Sequence, residues 1–332
     1  MTRTGQARSV AAFLLLALGA SAVPLVTDDF YQVDVATTAL QDLILAMSLR
    51  VVMNLGLLNL AHVSLMGIGA YVSAALAMRL GMSFWLTLPI AASTAALMAL
   101  ALGMLTLRLH GPYFFLVTFA VMSMVQLFFH SYFDGIFGGA TGLIGVPRPN
   151  PVGFGSFTVP LVSKISLYYL ILTFWIVAAA ILIRLEYSRL GLQCAAIKQS
   201  ESIARAVGIH TIRCKLLVLT LSGFLAGAAG VFFAHSRGVI NSSDFGIDPM
   251  LKLLVYVVVG GVSNIWGPVV GTIGFSITSE FLRSFHFLET LMYGAVLIAV
   301  MRLFPEGITG ALLRVFAAPR PIAVPSHAAA SA

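Results

Sequence analysis

Apolar runs of about twenty residues, separated by short breaks of Gly, Pro, Asn and charged residues, recur along most of this 332-residue chain. Crossing about 30 Å of hydrocarbon takes roughly 20 helical residues at ~1.5 Å each. That ruler predicts spans near 10–26, 37–58, 62–80, 84–107, 113–131, 165–184, 215–234, 249–262, 266–283 and 288–304. The expected fold is all-α: a polytopic transmembrane helical bundle of about ten helices, some of them short or broken. Two segments strain the pattern, because 249–262 is short and carries Lys252, and Arg50 falls inside the second span. An Arg at a helix centre costs ~2.5 to 3.5 kcal/mol on insertion scales, so Arg50 is expected to face protein, water or a snorkelling route rather than lipid.

Composition agrees with the pattern, since 9% of the residues are charged and 59% are hydrophobic. Such a chain lacks the polar surface of a soluble globule and belongs in a lipid bilayer. The excess of 19 basic over 12 acidic residues would suggest nucleic acid in a soluble protein. Here the positives gather at span ends and in loops, where they set topology, and no nucleic-acid partner is expected. The segment from Arg184 to Lys215 holds six of the 19 basic residues against two acids. Basic loops of this size are the ones retained in the cytoplasm. With the amino terminus inside, ten spans place Arg108, the 185–214 loop, Arg302, Arg314, Arg320 and both termini on that side.

The amino terminus admits two readings. Arg3 and Arg8 precede an apolar run from Val10 to Leu18 and then Gly-Ala-Ser-Ala, which has the form of a cleavable signal. An uncleaved first helix is the preferred reading, since many spans follow and need no second targeting device. In both, Asp28, Asp29 and Asp34 face outward. Residues 1–36 are read as that helix with a short outer segment, 37–312 as the main transmembrane domain, and 313–332 as a disordered Ala- and Pro-rich tail. The longest external loop, 132–164, has eight Gly or Pro in GGATGLIGVPRPNPVG, so turns rather than helix are expected there.

The polar interruptions of the spans carry the candidate chemistry. In NLGLLNLAHVSLMGIGAY, Asn59, His62, Ser64 and Tyr71 interrupt an apolar run that also contains Gly56, Gly67 and Gly69. Buried polar groups in lipid need partners, and such glycines permit either a broken helix facing a ligand or close helix packing bridged by hydrogen bonds. A second Gly-interrupted piece, GGVSNIWGPVVGTIGF from Gly260 to Phe275, admits the same two readings, with packing through Gly267 and Gly271, and a third, a loop with a re-entrant turn before Pro268. The small residues of Ser222 to Gly230 form a helix-packing face. Gln126 lies well inside the fifth span. Glu280 stands three residues before Arg283 on one helical face, which favours an interfacial ion pair.

Several chemistries find no motif. No GxxxxGK phosphate loop, GxGxxG fingerprint, HExxH or GxSxG is present. No cofactor is expected on this chain, and if ATP drives transport here another chain must bind it. Cys194 and Cys214 match no metal or redox spacing and lie in a reducing compartment, so both read as structural thiols. A secondary transporter working alone would need carboxylates placed to bind a coupling ion, and the chain offers Glu280 and Asp42 near span ends. A membrane enzyme would need clustered His and acids.

Within the basic loop, SESIARAV offers Ser200 or Ser202 as a helix cap, and Gly208 can end the helix at positive φ. This short helix, Glu201 to Gly208, either packs on a partner or is a solvated loop. Six strings then appear in order: LLNLAHVSLMGIGAY, LHGPYFFLVTFA, GGATGLIGVP, AIKQSESIARAVGIHTIRCK with SGFLAGAAG, GGVSNIWGPVVG and LFPEGITG. In these strings the chain resembles the LivM-type permeases of branched-chain amino acid ABC importers, from about residue 40 to 312. The resemblance implies a multi-pass subunit of the bacterial inner membrane. It would pair with a second, LivH-type permease, two cytoplasmic ATPases and a periplasmic substrate-binding protein. It places Glu201, Ala204 and Gly208 in the ATPase-coupling motif, and Asn59, His62 and Gly69 near the translocation path, with Ser64, Tyr71 and Gln126 as further path candidates. Arg50 departs from the family pattern, where a small or amide residue is more usual, and Asn59-Leu-Ala-His62 looks partly like the LivH-type partner. Relatives of this family are associated with urea, short amides and aromatic acids as well as Leu, Ile and Val.

Overall fold

The computed structural model describes residues 3–27, 29–107, 112–132, 134–154, 157–159, 161 and 163–282, with 294–295, 298, 302 and 307–310 beyond them. The helices are α1 (Arg3–Val26), α2 (Phe30–Met53), α3 (His62–Leu80), α4 (Phe84–Thr106), α5 (Pro112–Ser131), α6 (Asp134–Phe137), α7 (Lys164–Glu186), α8 (Arg189–Gln199), α9 (Glu201–Ala206), α10 (Thr211–Arg237), α11 (Ile247–Gly260) and α12 (Gly267–Leu282). Six of these, α2, α3, α4, α5, α7 and α10, are long and apolar enough to cross a membrane. At 14 residues, α11 falls short of the roughly 20 that a full crossing takes. The expected tenth span, 288–304, lies mostly outside the described residues, and the 313–332 tail lies wholly outside them. So do Asp28, Arg108, Arg283, Arg314 and Arg320.

The second span is shifted from the expected 37–58. Asp29 caps α2 by accepting the Tyr31 amide at 2.9 Å, so the helix starts before the apolar run does. It stops at Met53, and Gly56 at φ +75° turns the chain away. Asn59 then accepts the Ala61 amide at 3.1 Å, a side-chain turn that competes with helix. The conserved-length ruler misplaced both ends because it weighs apolarity alone, and the boundary set at residue 36 falls inside α2. The 132–164 loop is also more ordered than turns alone. It holds α6 and a 3₁₀ turn at Gly139–Thr141. It also holds strands β1 (Leu143–Ile144), β2 (Val152–Phe154) and β3 (Phe157–Val159).

These short strands tie the loop down. β2 and β3 form an antiparallel hairpin in the register Val152↔Val159, Gly153↔Thr158 and Phe154↔Phe157. β1 pairs antiparallel with β4 (Val239–Ile240), in the register Leu143↔Ile240 and Ile144↔Val239. The amides of Gly145 and Val146 both donate to Gly238 O at 2.9 Å. Gly238 itself ends α10 at φ +73°. On α4, the Phe84 amide donates to Asn150 Oδ1 at 3.0 Å. The loop therefore sits at one pole, across the ends of α10 and α4.

α10 is the central helix, and small residues set how near its neighbours come. An added Cβ at Gly69 of α3 would collide with the Gly227 backbone, and one at Gly230 with Met66 O. On the other side, Gly223 and Gly227 lie against Ala99 and Ala95 of α4. Close backbone approach supplies the dispersion contact that holds helices together where lipid removes the hydrophobic driving force. Polar side chains then bridge the same helices. Ser222 Oγ donates to Ser48 O at 2.8 Å, and Gln41 Nε2 donates to Ser236 Oγ at 3.0 Å. His235 Nδ1 donates to Pro147 O at 2.6 Å, and its Nε2 lies 2.8 Å from Ser73 Oγ. α11 and α12 form a hairpin in which Gly260, Gly267 and Gly271 pack backbone on backbone. The Gly260–Phe275 piece thus combines a helix break at 261–266 with close packing of the two helices it joins.

Candidate coupling pole and translocation face

At the pole opposite the 132–164 loop, the basic segment folds into two helices rather than one. Ser188 caps α8 by accepting the Gly191 amide, and Ser200 caps α9 by accepting the Ile203 amide, both at 3.4 Å. α9 ends where the Gly208 amide donates to Arg205 O and that of Ile209 to Ala204 O, each at 3.0 Å. Gly208 takes φ +86° with open space around it. Its glycine is required by backbone conformation, not by crowding. Ala204 is buried, whereas Ile203 and Val207 are 66% and 71% exposed.

Glu201 fastens this element to α10. Its Oε1 accepts from Arg205 Nη2 and its Oε2 from Lys215 Nζ, both at 2.7 Å. Arg205 Nε also donates to Thr211 Oγ1 at 3.1 Å. Burial by itself pushes the Glu201 carboxyl up, but the hydrogen bonds from Lys215 and Arg205 outweigh it and hold the pKa down to about 2. The Sγ atoms of Cys194 and Cys214, both buried free thiols, lie 3.5 Å apart between α8 and α10. That contact and burial push the Cys194 thiol well above its ordinary range.

A second ion pair anchors the same pole. Arg50 is 1% exposed and grips Glu186 at the end of α7. Its Nε donates to Val262 O, in the turn between α11 and α12, at 3.0 Å. Arg50 therefore faces protein, one of the three surroundings the sequence allowed. Burial and the Arg50 charge push the neighbouring Lys198 down.

The path candidates line the packed core of α3 and α5. His62 Nε2 lies 2.9 Å from Ser48 Oγ, which itself donates to Leu45 O. His62 Nε2–H is then the donor of that contact, and Nδ1 has no partner among the described residues. Asn59 Nδ2 and the Tyr71 hydroxyl are likewise unpartnered there. Tyr71 stacks on Phe129, with ring centroids 4.0 Å apart. Ser64 Oγ sits 3.5 Å from Met122 O, and Gly69 packs on Gly227. Half-buried Gln126 lies against Gly246, where an added Cβ would come within 2.6 Å of its Nε2. The structure thus gathers Asn59, His62, Ser64, Gly69 and Tyr71 along one helix and its entrance turn. Glu280, at the other pole, accepts a hydrogen bond from the Tyr31 hydroxyl.

Residues 31–301 match the family described as branched-chain amino acid transport system, permease component. The chain belongs to this permease family. Among named relatives it is 30% identical over 295 residues to the high-affinity branched-chain amino acid transport system permease protein LivM of Escherichia coli K12. That alignment covers 83% of this chain and 69% of the relative. It is 31% identical over 144 residues to the permease protein LivH of the same organism, covering 41% and 46% of the two chains. The autoinducer 2 import system permease protein LsrC of Klebsiella pneumoniae is 31% identical over 97 residues, 28% of each chain. No solved structure matches the chain significantly.

In this permease the sequence signals and the tertiary contacts diverge at three places. α8, with 11 residues, falls below a ruler set for roughly 20 apolar residues, while its Ser188 cap was there to be read. The Arg50–Glu186 pair joins residues 136 apart in sequence, and a lone Arg in a span was its one visible sign. The third, a charged cleft at Asp42 and Lys252, showed as a Lys in a short apolar segment and an Asp near a span end, with nothing to join them.

Proposed function

We propose that this permease is one of two membrane subunits of an ATP-driven importer of branched-chain, hydrophobic amino acids. The observation that carries the reading is the family match, which runs from the first turn of α2 past α12 and so includes the coupling segment. The topology proposed for it is ten spans with both termini on the cytoplasmic side of the bacterial inner membrane, and the basic residues of the α8–α9 pole support that orientation. The partners are a LivH-type permease, two ATPases that bind ATP and Mg, and a periplasmic binding protein that docks at the pole of the 132–164 loop.

In this reading the chain does no chemistry. The ATPases close around ATP and push on Ile203 and Val207, the exposed apolar face of α9. Ala204, buried beneath, and the Glu201–Lys215 pair pass that push into α10. α10 packs against α3 and α4 through glycine and alanine, so it moves them as a unit. Asn59, His62, Ser64, Gly69, Tyr71 and Gln126 stand on or beside these moving helices. The free energy comes from tighter ATP binding to the closed state.

Co-expression with its genomic neighbours and reconstitution in liposomes tests this. Leucine-stimulated ATP hydrolysis and ATP-dependent uptake are expected, with urea, short amides and aromatic acids as competitors to rank the substrate class. Uptake by this chain alone on an ion gradient would overturn the importer reading in favour of a secondary transporter.

A further inference from the structure

Four charged side chains from three helices and one turn meet at a cleft: Asp42 of α2, Arg237 of α10, Asp244 of the 3₁₀ turn before α11, and Lys252 of α11. The cleft has a volume of about 200 Å³ and shares all four residues with a wider, polar cavity of about 830 Å³ toward the 132–164 pole. The rest of its wall is mostly apolar, with Leu45, Met66 and Leu253, and also carries Thr38, Ser243 and Tyr256. Two carboxylates and two cations at the edge of a membrane span are costly to hold unless they have partners.

They are incompletely satisfied by one another. Lys252 Nζ lies 3.8 Å from Asp42 Oδ2, well beyond the ~2.7 to 2.9 Å of a direct charge-assisted hydrogen bond. The Tyr256 hydroxyl donates to the same Oδ2 at 3.3 Å. Asp244 Oδ2 accepts the Asn241 amide at 2.9 Å, and its Oδ1 takes no hydrogen bond among the described residues. Arg237 rests over the Phe233 ring at 4.4 Å and makes no ion pair among the described residues.

We propose that this cleft is a binding station for a zwitterion, the α-ammonium and α-carboxylate of one free amino acid. Asp42 and Asp244 take the ammonium, Lys252 and Arg237 take the carboxylate, and an aliphatic side chain lies against Leu45, Met66 and Leu253. The charges balance: the cleft is neutral before and after binding, so the ligand brings no net charge into a low-dielectric site. A simple amine or carboxylic acid would leave one pair unmatched, and urea would match neither. The loose Lys252–Asp42 contact is exchanged for shorter charge-assisted bonds.

The proposal rests on the amino-acid reading above, and the test separates the two. The whole importer, with its partner permease, ATPases and binding protein, is reconstituted, and labelled leucine uptake is measured at equal amounts of assembled complex. If the wild type imports no amino acid, the amino-acid reading fails and this proposal with it. If the wild type imports leucine, Asp42→Asn and Lys252→Met are each expected to lower uptake by about tenfold or more, the loss of one charged hydrogen bond. Asp42→Glu and Lys252→Arg are expected to retain part of it. Wild-type uptake by assembled Lys252→Met overturns the station while leaving the amino-acid reading intact. Where either variant fails to assemble, Arg237→Gln, at the exposed rim, decides: reduced uptake supports the station and unchanged uptake overturns it.

Discussion

Arg50 Nη1 and Nη2 meet both carboxylate oxygens of Glu186, at 2.6 and 2.9 Å. The pair closes the end of α2 onto the end of α7, and the Nε bond to Val262 O adds the turn between α11 and α12. Three parts of the bundle distant in sequence thus share one guanidinium. A planar fork with five donors can do this, and a Lys ammonium cannot.

Breaking this pair is therefore expected to loosen the whole pole. Arg50→Ala leaves the Glu186 carboxylate half-buried without its partner, at a cost of about 3 to 5 kcal/mol. Arg50→Lys is expected to recover only part. Thermal unfolding of the detergent-solubilised protein checks this, and equal midpoints for Arg50→Lys and wild type would contradict the bidentate account.

Two glycines should respond differently to the same change. Gly69→Val drives a side chain into the Gly227 backbone, and loss of folded protein is expected. Gly208→Val meets open space and carries only the cost of a left-handed backbone, about 1 to 2 kcal/mol. It is expected to insert normally and to transport less. Membrane yield and uptake, measured side by side, distinguish the two, and wild-type uptake by Gly208→Val would argue against a coupling role for the α9 turn.

The Glu201 cluster sets a pH window. Its folded pKa of about 2 lies below the ordinary 4.5. Its contribution to stability is then fully present above the unfolded value and is lost as pH falls through the folded one. The advantage of the wild type over Glu201→Gln should be flat from about pH 8 to pH 5 and shrink below that. An advantage that stays flat down to about pH 2 would mean that Lys215 and Arg205 do not lower the carboxyl's pKa.

His62 and Ser48 bridge the α3 start to α2 at 2.9 Å. If their role is packing, His62→Ala and Ser48→Ala should be non-additive in a stability cycle by about 0.5 to 3 kcal/mol, with uptake falling in step with folded protein. Uptake lost from fully stable His62→Ala would assign the ring to the path.

Much of the architecture was legible without coordinates. Long apolar runs force helices in lipid, because only internal hydrogen bonds can satisfy the backbone there. Serines, Gly208 and the basic loop marked the α9 turn and its pole by local rules. Helix ends governed by side-chain competition, at Asp29 and Asn59, escaped a ruler built on apolarity.

What the sequence alone determined, then, is what depends on neighbours along the chain: helical class, the positions of most of the described spans, the capped α9 turn, and the family strings. Tertiary structure decided what depends on neighbours across space. Glu186 is 136 residues from Arg50, and Lys252 reaches Asp42 only because short α11 packs on α2. Charges bought together in this way leave no periodic signal, since each acquires its partner only when the helices close.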